Sequence, residues 1–275
     1  MEKIDFLPLV KAYPALSQTY GEVSCVAGIE LEEWRPKRWI RLYPVAYRAL
    51  EDSQQFAKYQ PITVSVESHS GDRRPETRRP DRDSIALLGD PISSANGWVR
   101  RRPFVEPLMA ESMCAITRSQ KSDGVSLGIF RPRVVKDLKI VPAEVSAEKR
   151  AIAKAWAAQP TLLDGLNASQ ERDHQVRELE AVPWSFKYHY FCHEGDCGGH
   201  TQTIIDWEIA LTYRRVRNRP DWHERMRKRW LEELCAPDRD VALIVGNMHQ
   251  HPGSFLVLGV WWPERRPRQL ELRDL

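Results

Sequence analysis

The chain of 275 residues carries 41 basic and 38 acidic side chains, a net charge of +3, and 42% hydrophobic residues. This composition is typical of a soluble globular protein with one large or two modest domains. It contains no apolar run of about 18 residues, so a membrane span is not expected. Charges interrupt the apolar N-terminal stretch, which argues against a secretory signal. Five cysteines spread along the chain argue against a disulfide framework and favour a reducing cytoplasmic location.

Residues 1–104 are predicted to form a β-rich domain. Segments 6–13, 23–31, 39–45 and 62–68 are rich in β-branched and aromatic residues, and a short helix is predicted within residues 47–59. In the fourth segment Ile62, Val64 and Val66 alternate with polar residues, which predicts one buried face. This order suits a small barrel of the OB, SH3 or PUA kind, an architecture that often binds nucleic acid. That functional step is an analogy from architecture.

A polar, arginine-rich stretch follows at residues 68–84, SHSGDRRPETRRPDRDS. Its prolines and charges predict a long irregular loop or flap. Two interpretations are open: a solvated surface loop, or a flap that contacts phosphates beside the barrel. The candidate phosphate contacts are Arg73, Arg74, Arg78 and Arg79, and a second basic group follows at Arg100, Arg101 and Arg102. The barrel aromatics Trp39 and Tyr43 are candidates for stacking on bases.

Residues 105–275 are predicted to form an α+β domain. Its first half is predicted to contain a helix over 105–118, strands over 125–130 and 134–141, a helix over 146–159 and a further helix that ends near residue 180. Its second half is predicted to contain a strand from 186, a helix over 201–217, a helix from 221, and a C-terminal hairpin of strands 241–246 and 255–262. Asp221 as N-cap with Glu224 three residues later predicts a capping box at the start of the last helix.

The most informative segment is FKYHYFCHEGDCGGHTQTIIDWEI, residues 186–209. Alternation predicts a strand with Phe186, Tyr188 and Tyr190 on one face and Lys187, His189 and Phe191 on the other. Cys192, Cys197 and His200 then follow with short spacing in a glycine-containing turn between strand and helix.

Thiolates and imidazole at such spacing are typical zinc ligands, so the turn is a candidate Zn²⁺ site. The candidates for a fourth ligand are Cys235, His189, His249, His251 or a carboxylate. Cys25 and Cys114 are predicted to be small buried hydrophobic residues instead. The alternative is a turn without metal, in which the two thiols are free and the histidine lies at the surface. A water molecule as fourth ligand would make the site catalytic.

Two carboxylates near this segment are candidates for catalysis. Asp206 and Glu208 are expected on a helix, where a separation of two residues points their side chains about 200° apart. They are therefore not expected to hold one metal ion together. A nuclease would use Asp206 or Glu194 as its base. The simpler alternative is a salt bridge to a nearby arginine.

The two predicted helices after this segment carry a basic cluster. Its members are Arg214, Arg215, Arg217, Arg225, Arg227, Lys228 and Arg229. Such clusters attract phosphates in a salt-dependent way, so the sequence predicts a zinc-stabilised nucleic-acid-binding protein. The alternatives are a metal-dependent nuclease or related hydrolase, and an interaction subunit of a larger assembly. The choice between DNA and RNA and the oligomeric state stay open.

Overall fold

The computed structural model describes residues 1–17, 21–144 and 181–265, which contain fourteen strands and five α-helices. The strands are β1 Glu2–Lys11, β2 Ala15–Ser17, β3 Gly21–Glu32, β4 Arg35–Val45, β5 Ile62–Ser68, β6 Thr77–Pro80, β7 Ala86–Leu87, β8 Met109–Ala110, β9 Leu127–Phe130, β10 Val134–Pro142, β11 Trp184–Phe191, β12 His200–Thr203, β13 Ala242–Asn247 and β14 Phe255–Trp261. The helices are α1 Ala95–Trp98, α2 Arg102–Val105, α3 Met113–Asp123, α4 Trp207–Val216 and α5 Trp222–Arg227, which continues into a π-helical turn, Lys228–Glu233. The predicted α+β class is confirmed. None of the helices in the described part of the chain has the length and apolar character needed to cross a membrane.

The N-terminal strands close into a five-stranded barrel, which confirms the predicted barrel-like architecture. The strand order is β1–β3–β4–β6–β5, and β5 pairs with β1 to complete the circle. Ile62, Val64 and Val66 are all buried, as their alternation predicted. Because the barrel is closed, these five strands leave no long open sheet edge.

The arginine-rich stretch is not wholly irregular, and the prediction of a flap is wrong for residues 77–80. This segment is strand β6, which pairs parallel with β4 and antiparallel with β5. Thr77 is buried between them. Pro80, opposite Val66 of β5, is the last residue of the strand. The stretch that reads as a loop therefore supplies the strand that closes the barrel.

The helix predicted over residues 105–118 is also wrong. Helix α2 gives way to a 3₁₀ turn, Glu106–Leu108, and the short strand β8 follows before α3 begins. Of the predicted span, α3 covers only residues 113–118, because Ser112 has an extended backbone, φ −164° and ψ 168°, and the helix begins after it. Ser112 then caps α3 by accepting a hydrogen bond from the N–H of Ala115 at 2.9 Å. The helices predicted between residues 146 and 180 lie outside the described residues.

The Cys/His turn joins two antiparallel strands rather than a strand and a helix. Strand β11 is confirmed, and its alternating burial places Phe186, Tyr188 and Tyr190 inside. Residues 200–203 form β12, so the helix predicted from residue 201 begins only at Trp207. Two β-branched threonines favour the strand, and Asp206 caps the helix after it.

The capping box predicted for the next helix is absent. Helix α5 does begin after Asp221, but that side chain makes no cap hydrogen bond. It accepts from the guanidinium of Arg225 at 2.9 Å instead. The predicted C-terminal hairpin is confirmed as β13 and β14, which join β9 and β8 in a four-stranded sheet.

The barrel and this sheet share one hydrophobic core. Leu7 and Leu9 of β1 pack in the same buried cluster as Ile129 of β9, Ile244 of β13 and Trp261 of β14. A second cluster lies under the three-stranded sheet β10–β11–β12 and helices α3, α4 and α5. The predicted division of the chain into two domains after residue 104 stays a prediction. The first core cluster contains residues from both sides of that position.

A buried guanidinium links the barrel to the second half of the chain. Arg41 of β4 is 1% exposed. It donates to the hydroxyl of Ser126 at 2.7 Å and to the carbonyl of Ser126 at 2.9 Å. The carboxylate of Glu76 accepts from the N–H of Ser126 at 2.8 Å and also from its hydroxyl. Burial lowers the pKa of Arg41, while the nearby Glu76 and Asp72 act in the opposite direction.

Replacing Arg41 is expected to be strongly destabilising. Arg41→Met leaves the buried hydroxyl and carbonyl of Ser126 without their charged donor, and the loss should be about 3 kcal/mol in the free energy of unfolding. Urea denaturation measures it. Arg35→Met, at an exposed position on the same strand, is the matched control and should lose less than about 1 kcal/mol. Equal losses for the two variants would contradict a central role for Arg41.

Candidate metal centre and basic surfaces

Four soft ligand atoms converge at one end of the three-stranded sheet. The thiols of Cys114, Cys192 and Cys197 and a ring nitrogen of His200 lie within 4.8 Å of one another, so the cluster could hold a metal ion. The Sγ of Cys114 is 3.3 Å from Nε2 of His200. Cys192 follows β11, His200 begins β12, and Cys114 lies in the first turn of α3. Three elements therefore meet at the cluster.

The loop between β11 and β12 is shaped to present its thiols. The N–H of Cys192 donates to Sγ of Cys197 at 3.3 Å, which draws the two ends of the loop together. Gly199 has φ +89°, a left-handed conformation that favours glycine. A Cβ at this position would lie 2.8 Å from the ring of Phe191. A larger residue would therefore push the loop away from the sheet.

Burial and the neighbouring groups of the cluster shift the pKa values of its thiols and of its imidazole. Burial and the adjacent Cys192 and Cys197 raise the pKa of Cys114 to about 12. Burial also raises the pKa of Cys192. Burial acts in the same sense on Cys197, but hydrogen bonds from the N–H groups of Cys192 and Gly199 outweigh it and lower the pKa of that thiol. Burial lowers the pKa of His200, which favours the neutral imidazole that binds metals.

Contacts around the ligands hold the loop against α3. The carboxylate of Glu194 accepts from Arg118 at 3.0 Å and from the hydroxyl of Ser112, the N-cap of α3. The ring of His200 stacks on Tyr190 with 5.3 Å between centroids. Such contacts outside the ligand shell orient ligands in metal sites.

The fourth ligand atom comes from a residue that the sequence interpretation placed in the core. Cys114 was predicted to be a small buried hydrophobic residue, and it is half-buried and packs against the core. The prediction missed that its thiol also joins the candidate ligands, because Ser112 starts α3 beside the loop. The four predicted candidates lie elsewhere: Cys235 is 3.7 Å from the carbonyl of Trp230, His189 contacts Thr201 at 3.1 Å, His249 contacts Asp72 at 3.1 Å, and His251 is exposed in the β13–β14 loop. Sequence spacing carries no signal for a ligand this distant along the chain.

The two candidate catalytic carboxylates are both engaged in other contacts. Asp206 is 2% exposed, and its two oxygens accept from Nζ of Lys58 at 2.9 and 3.0 Å. It also caps α4 by accepting from the N–H of Glu208 at 2.9 Å. Glu208 reaches the same ammonium at 3.1 Å. The expectation that the two carboxylates diverge is wrong, because Asp206 lies before the helix rather than in it.

Glu194 forms a surface ion pair at the edge of the loop. Hydrogen bonds from Arg118 and Ser112 lower its pKa to about 2. It is therefore a carboxylate at neutral pH, held by two partners on α3.

Several of the predicted phosphate contacts bind other parts of the protein. Arg74 donates to Asp72 at 2.6 Å and to the carbonyl of Asn247 at 2.7 Å. Arg102 is 3% exposed and contacts Glu106 and Asp240. The guanidinium of Arg101 lies 3.9 Å from the ring centroid of Tyr59. Arg78 donates to the carbonyls of Pro75 and Thr77, whereas Arg73, Arg79 and Arg100 are exposed.

The basic cluster of the two helices is partly neutralised. Three of its arginines have carboxylate partners: Arg225 with Asp221, Arg227 with Asp137 and Arg229 with Glu233, at 2.8–2.9 Å. Arg214 donates to the hydroxyl of Tyr13 and Arg217 is half-buried. Arg215 and Lys228 are exposed. The net positive charge of this region is smaller than its sequence indicates.

The predicted barrel aromatics are not the most exposed ones. Trp39 packs against the shared core, and Tyr43 is half-buried, 6.1 Å from the ring of His69. Trp34 is 56% exposed at the tip of the β3–β4 hairpin, where it and Glu33 have positive φ. The sequence interpretation did not include Trp34. Its position between two predicted strands could have predicted its exposure, because a residue in the turn of a hairpin lies away from the core.

The outer face of the three-stranded sheet combines lysines with aromatic rings. Lys139 of β10 lies directly opposite Lys187 of β11, and Val134 lies opposite Phe191. His189 and Phe191 are in contact, with ring centroids 5.1 Å apart. The predicted alternation of β11 is confirmed here, since these side chains are the partly exposed ones.

Two family models match the chain. A domain of unknown function, DUF8757, matches residues 109–275, and a second, DUF8758, matches residues 2–107. No curated protein matches the sequence.

Replacing Cys114 is expected to abolish tight metal binding, because it removes one of four converging ligands. Cys114→Ala should lose the bound metal to a competing chelator under conditions in which the wild type keeps it. Metal content by elemental mass spectrometry measures this. Cys235→Ala is the control and should keep the metal, since its thiol lies outside the cluster. Metal loss in Cys235→Ala, or retention in Cys114→Ala, would contradict the ligand set.

Proposed function

The chain belongs to the DUF8757 family, and we propose that it is a nucleic-acid-binding protein with a structural zinc ion. The observation that carries the proposal is the outer face of β10–β11–β12, where opposed lysines and partly exposed rings lie beside the metal loop. The zinc ion would hold the loop, and the sheet would contact the nucleic acid.

Zinc fits the chemistry of the ligand atoms best. Three thiolates and one imidazole form one of the common structural zinc sets, with tetrahedral geometry. Softer ligands of this kind disfavour magnesium and calcium, which prefer oxygen. The ion would connect α3 to the β11–β12 hairpin and so stabilise the second half of the chain.

The same geometry favours a structural role over a catalytic one. Catalytic zinc keeps a coordination position open for water, whereas four protein ligands fill a tetrahedral shell. In the described part of the chain, Asp206 is bound by Lys58 and Glu194 by Arg118. The nuclease interpretation therefore lacks both the open position and an available base at this site.

Purified protein is expected to contain one zinc ion per chain. Removing it with a chelator should lower the melting temperature, because much of the zinc-binding free energy is folding free energy in such sites. Elemental mass spectrometry and thermal unfolding measure the two effects. Adding back zinc should restore the melting temperature, and magnesium at the same concentration should not. Protein that is free of zinc and equally stable would contradict a structural zinc.

The opposed lysines indicate a surface that receives an anion. Like charges directly opposite each other on neighbouring strands are destabilising, so Lys139 and Lys187 oppose the stability of the sheet they lie on. Asp137 lies nearby on β10 but is already paired with Arg227 at 2.8 Å. A bound phosphate backbone would relieve the repulsion between the lysines. Arg73, Arg79, Arg100, Arg215 and Lys228 are further exposed candidates for phosphate contacts.

Reversing the two sheet lysines is expected to weaken binding and its salt dependence. Lys139→Glu with Lys187→Glu should reduce the slope of log affinity against log salt by about 1.5, since two phosphate contacts are lost. Fluorescence anisotropy with labelled oligonucleotides measures both. Lys3→Glu with Lys121→Glu makes the same change in net charge at two exposed lysines elsewhere and is the matched control. Absence of wild-type binding at low salt, or equal losses in both double variants, would refute the proposal.

A further inference from the structure

We propose that this surface binds single-stranded nucleic acid by stacking a base on Phe191, and that the metal loop holds the Phe191 ring in position. The inference rests on the proposed function and names its ligand class.

Two side chains lie beside the ring of Phe191: the imidazole of His189 and the guanidinium of Arg133. Phe191 is the last residue of β11 and is only partly buried. The ring of His189 contacts it edge-on, with 5.1 Å between centroids and 76° between planes. The guanidinium of Arg133 is 5.9 Å from its centroid. A partly exposed ring beside a guanidinium is an arrangement that can accept a nucleobase face and its phosphate together.

The geometry favours a single strand over a duplex. In a duplex the faces of the bases are already stacked, so a ring on a sheet can reach them only in single-stranded segments. Lys187 lies four residues before Phe191 on the same strand, which is about 13 Å along it. A single strand that stacks at Phe191 would therefore continue along the sheet to the opposed lysines.

The metal loop forms the support under the ring. Phe191 directly precedes Cys192, and Gly199 lies between Cys197 and His200. A Cβ on Gly199 would lie 2.8 Å from the Phe191 ring and 3.3 Å from the His189 ring, so both rings pack directly on the loop backbone. A metal ion that closes the loop would consequently fix the ring. Binding should depend on the metal although no metal ligand contacts the base.

The exposed tryptophan of the barrel is a weaker candidate for the same role. Trp34 has more exposed surface, but Lys37 and Arg38 near it both contact Glu30, at 3.0 and 2.7 Å. The remaining cation, Arg35, lies close in sequence to Glu32 and Glu33. The hairpin tip therefore lacks the net positive charge that attracts a nucleic acid.

The test compares Phe191→Leu with Phe191→Trp in the full chain loaded with zinc. Leucine keeps the packing on Gly199 but removes the aromatic face, and it should weaken binding to single-stranded 12-mers by about 5- to 150-fold. Tryptophan should retain or strengthen it. Single-stranded DNA, single-stranded RNA and duplex DNA of one sequence are measured in parallel by anisotropy. The duplex should show little difference between the variants.

Controls separate stacking from folding and from the broader proposal. Val134→Ala, directly opposite Phe191, should bind like the wild type, and all variants should retain their metal and melting temperature. Removing the metal should lower single-strand affinity to the level of Phe191→Leu or below. If the wild type binds no nucleic acid, the proposed function itself fails. If the wild type binds and Phe191→Leu binds equally well, or metal removal has no effect, only this inference is overturned.

Discussion

The link between Arg41 and Ser126 is the interaction on which the arrangement of the two halves depends. A guanidinium with 1% exposure is tolerated only when its donors are satisfied, and Ser126 supplies two acceptors within 2.9 Å. Ser126 directly precedes β9, and α3 precedes Ser126 along the chain. Fixing this point therefore fixes the C-terminal end of α3, which ends at Asp123. Cys114 lies in the first turn of the same helix, so its position in the candidate metal cluster depends in part on a contact made by the barrel.

Strand β11 performs two roles because its side chains alternate. Its inner face contributes Tyr188 and Tyr190 to the core, both with 0% exposure. Its outer face presents Lys187, His189 and Phe191. Because one backbone carries both faces, a contact that fixes the end of strand β11 also fixes the positions of its outer side chains. Cys192, the next residue, belongs to the candidate metal cluster. A metal ion bound there would fix the end of β11 and, with it, the side chains of the proposed binding surface.

Local patterns in the sequence were sufficient where the fold is decided locally. The alternation in residues 62–68 and 186–191 predicted strands β5 and β11, because a period of two follows directly from one buried face. Prediction failed where distant contacts decide. Strand β6 has the sequence TRRP, which shows no strand pattern, and it is held by pairing with β4 and β5. Cys114 reaches the candidate metal cluster through the packing of α3. Asp206 fell within the helix predicted over 201–217, and its partner Lys58, 148 residues away in sequence, gave no local signal.

Charge illustrates the same limit at the surface. The sequence shows a basic cluster at residues 214–229, yet Arg225, Arg227 and Arg229 each face a carboxylate at 2.8–2.9 Å. Lys139 and Lys187 belong to no cluster in the sequence, yet they meet across two strands. The net charge of +3 therefore does not show which cations have carboxylate partners. Among residues 1–17, 21–144 and 181–265, neither lysine forms an ion pair with a carboxylate. Because a polyanion responds to uncompensated charge, we base the proposed binding surface on this pair rather than on the longest run of arginines.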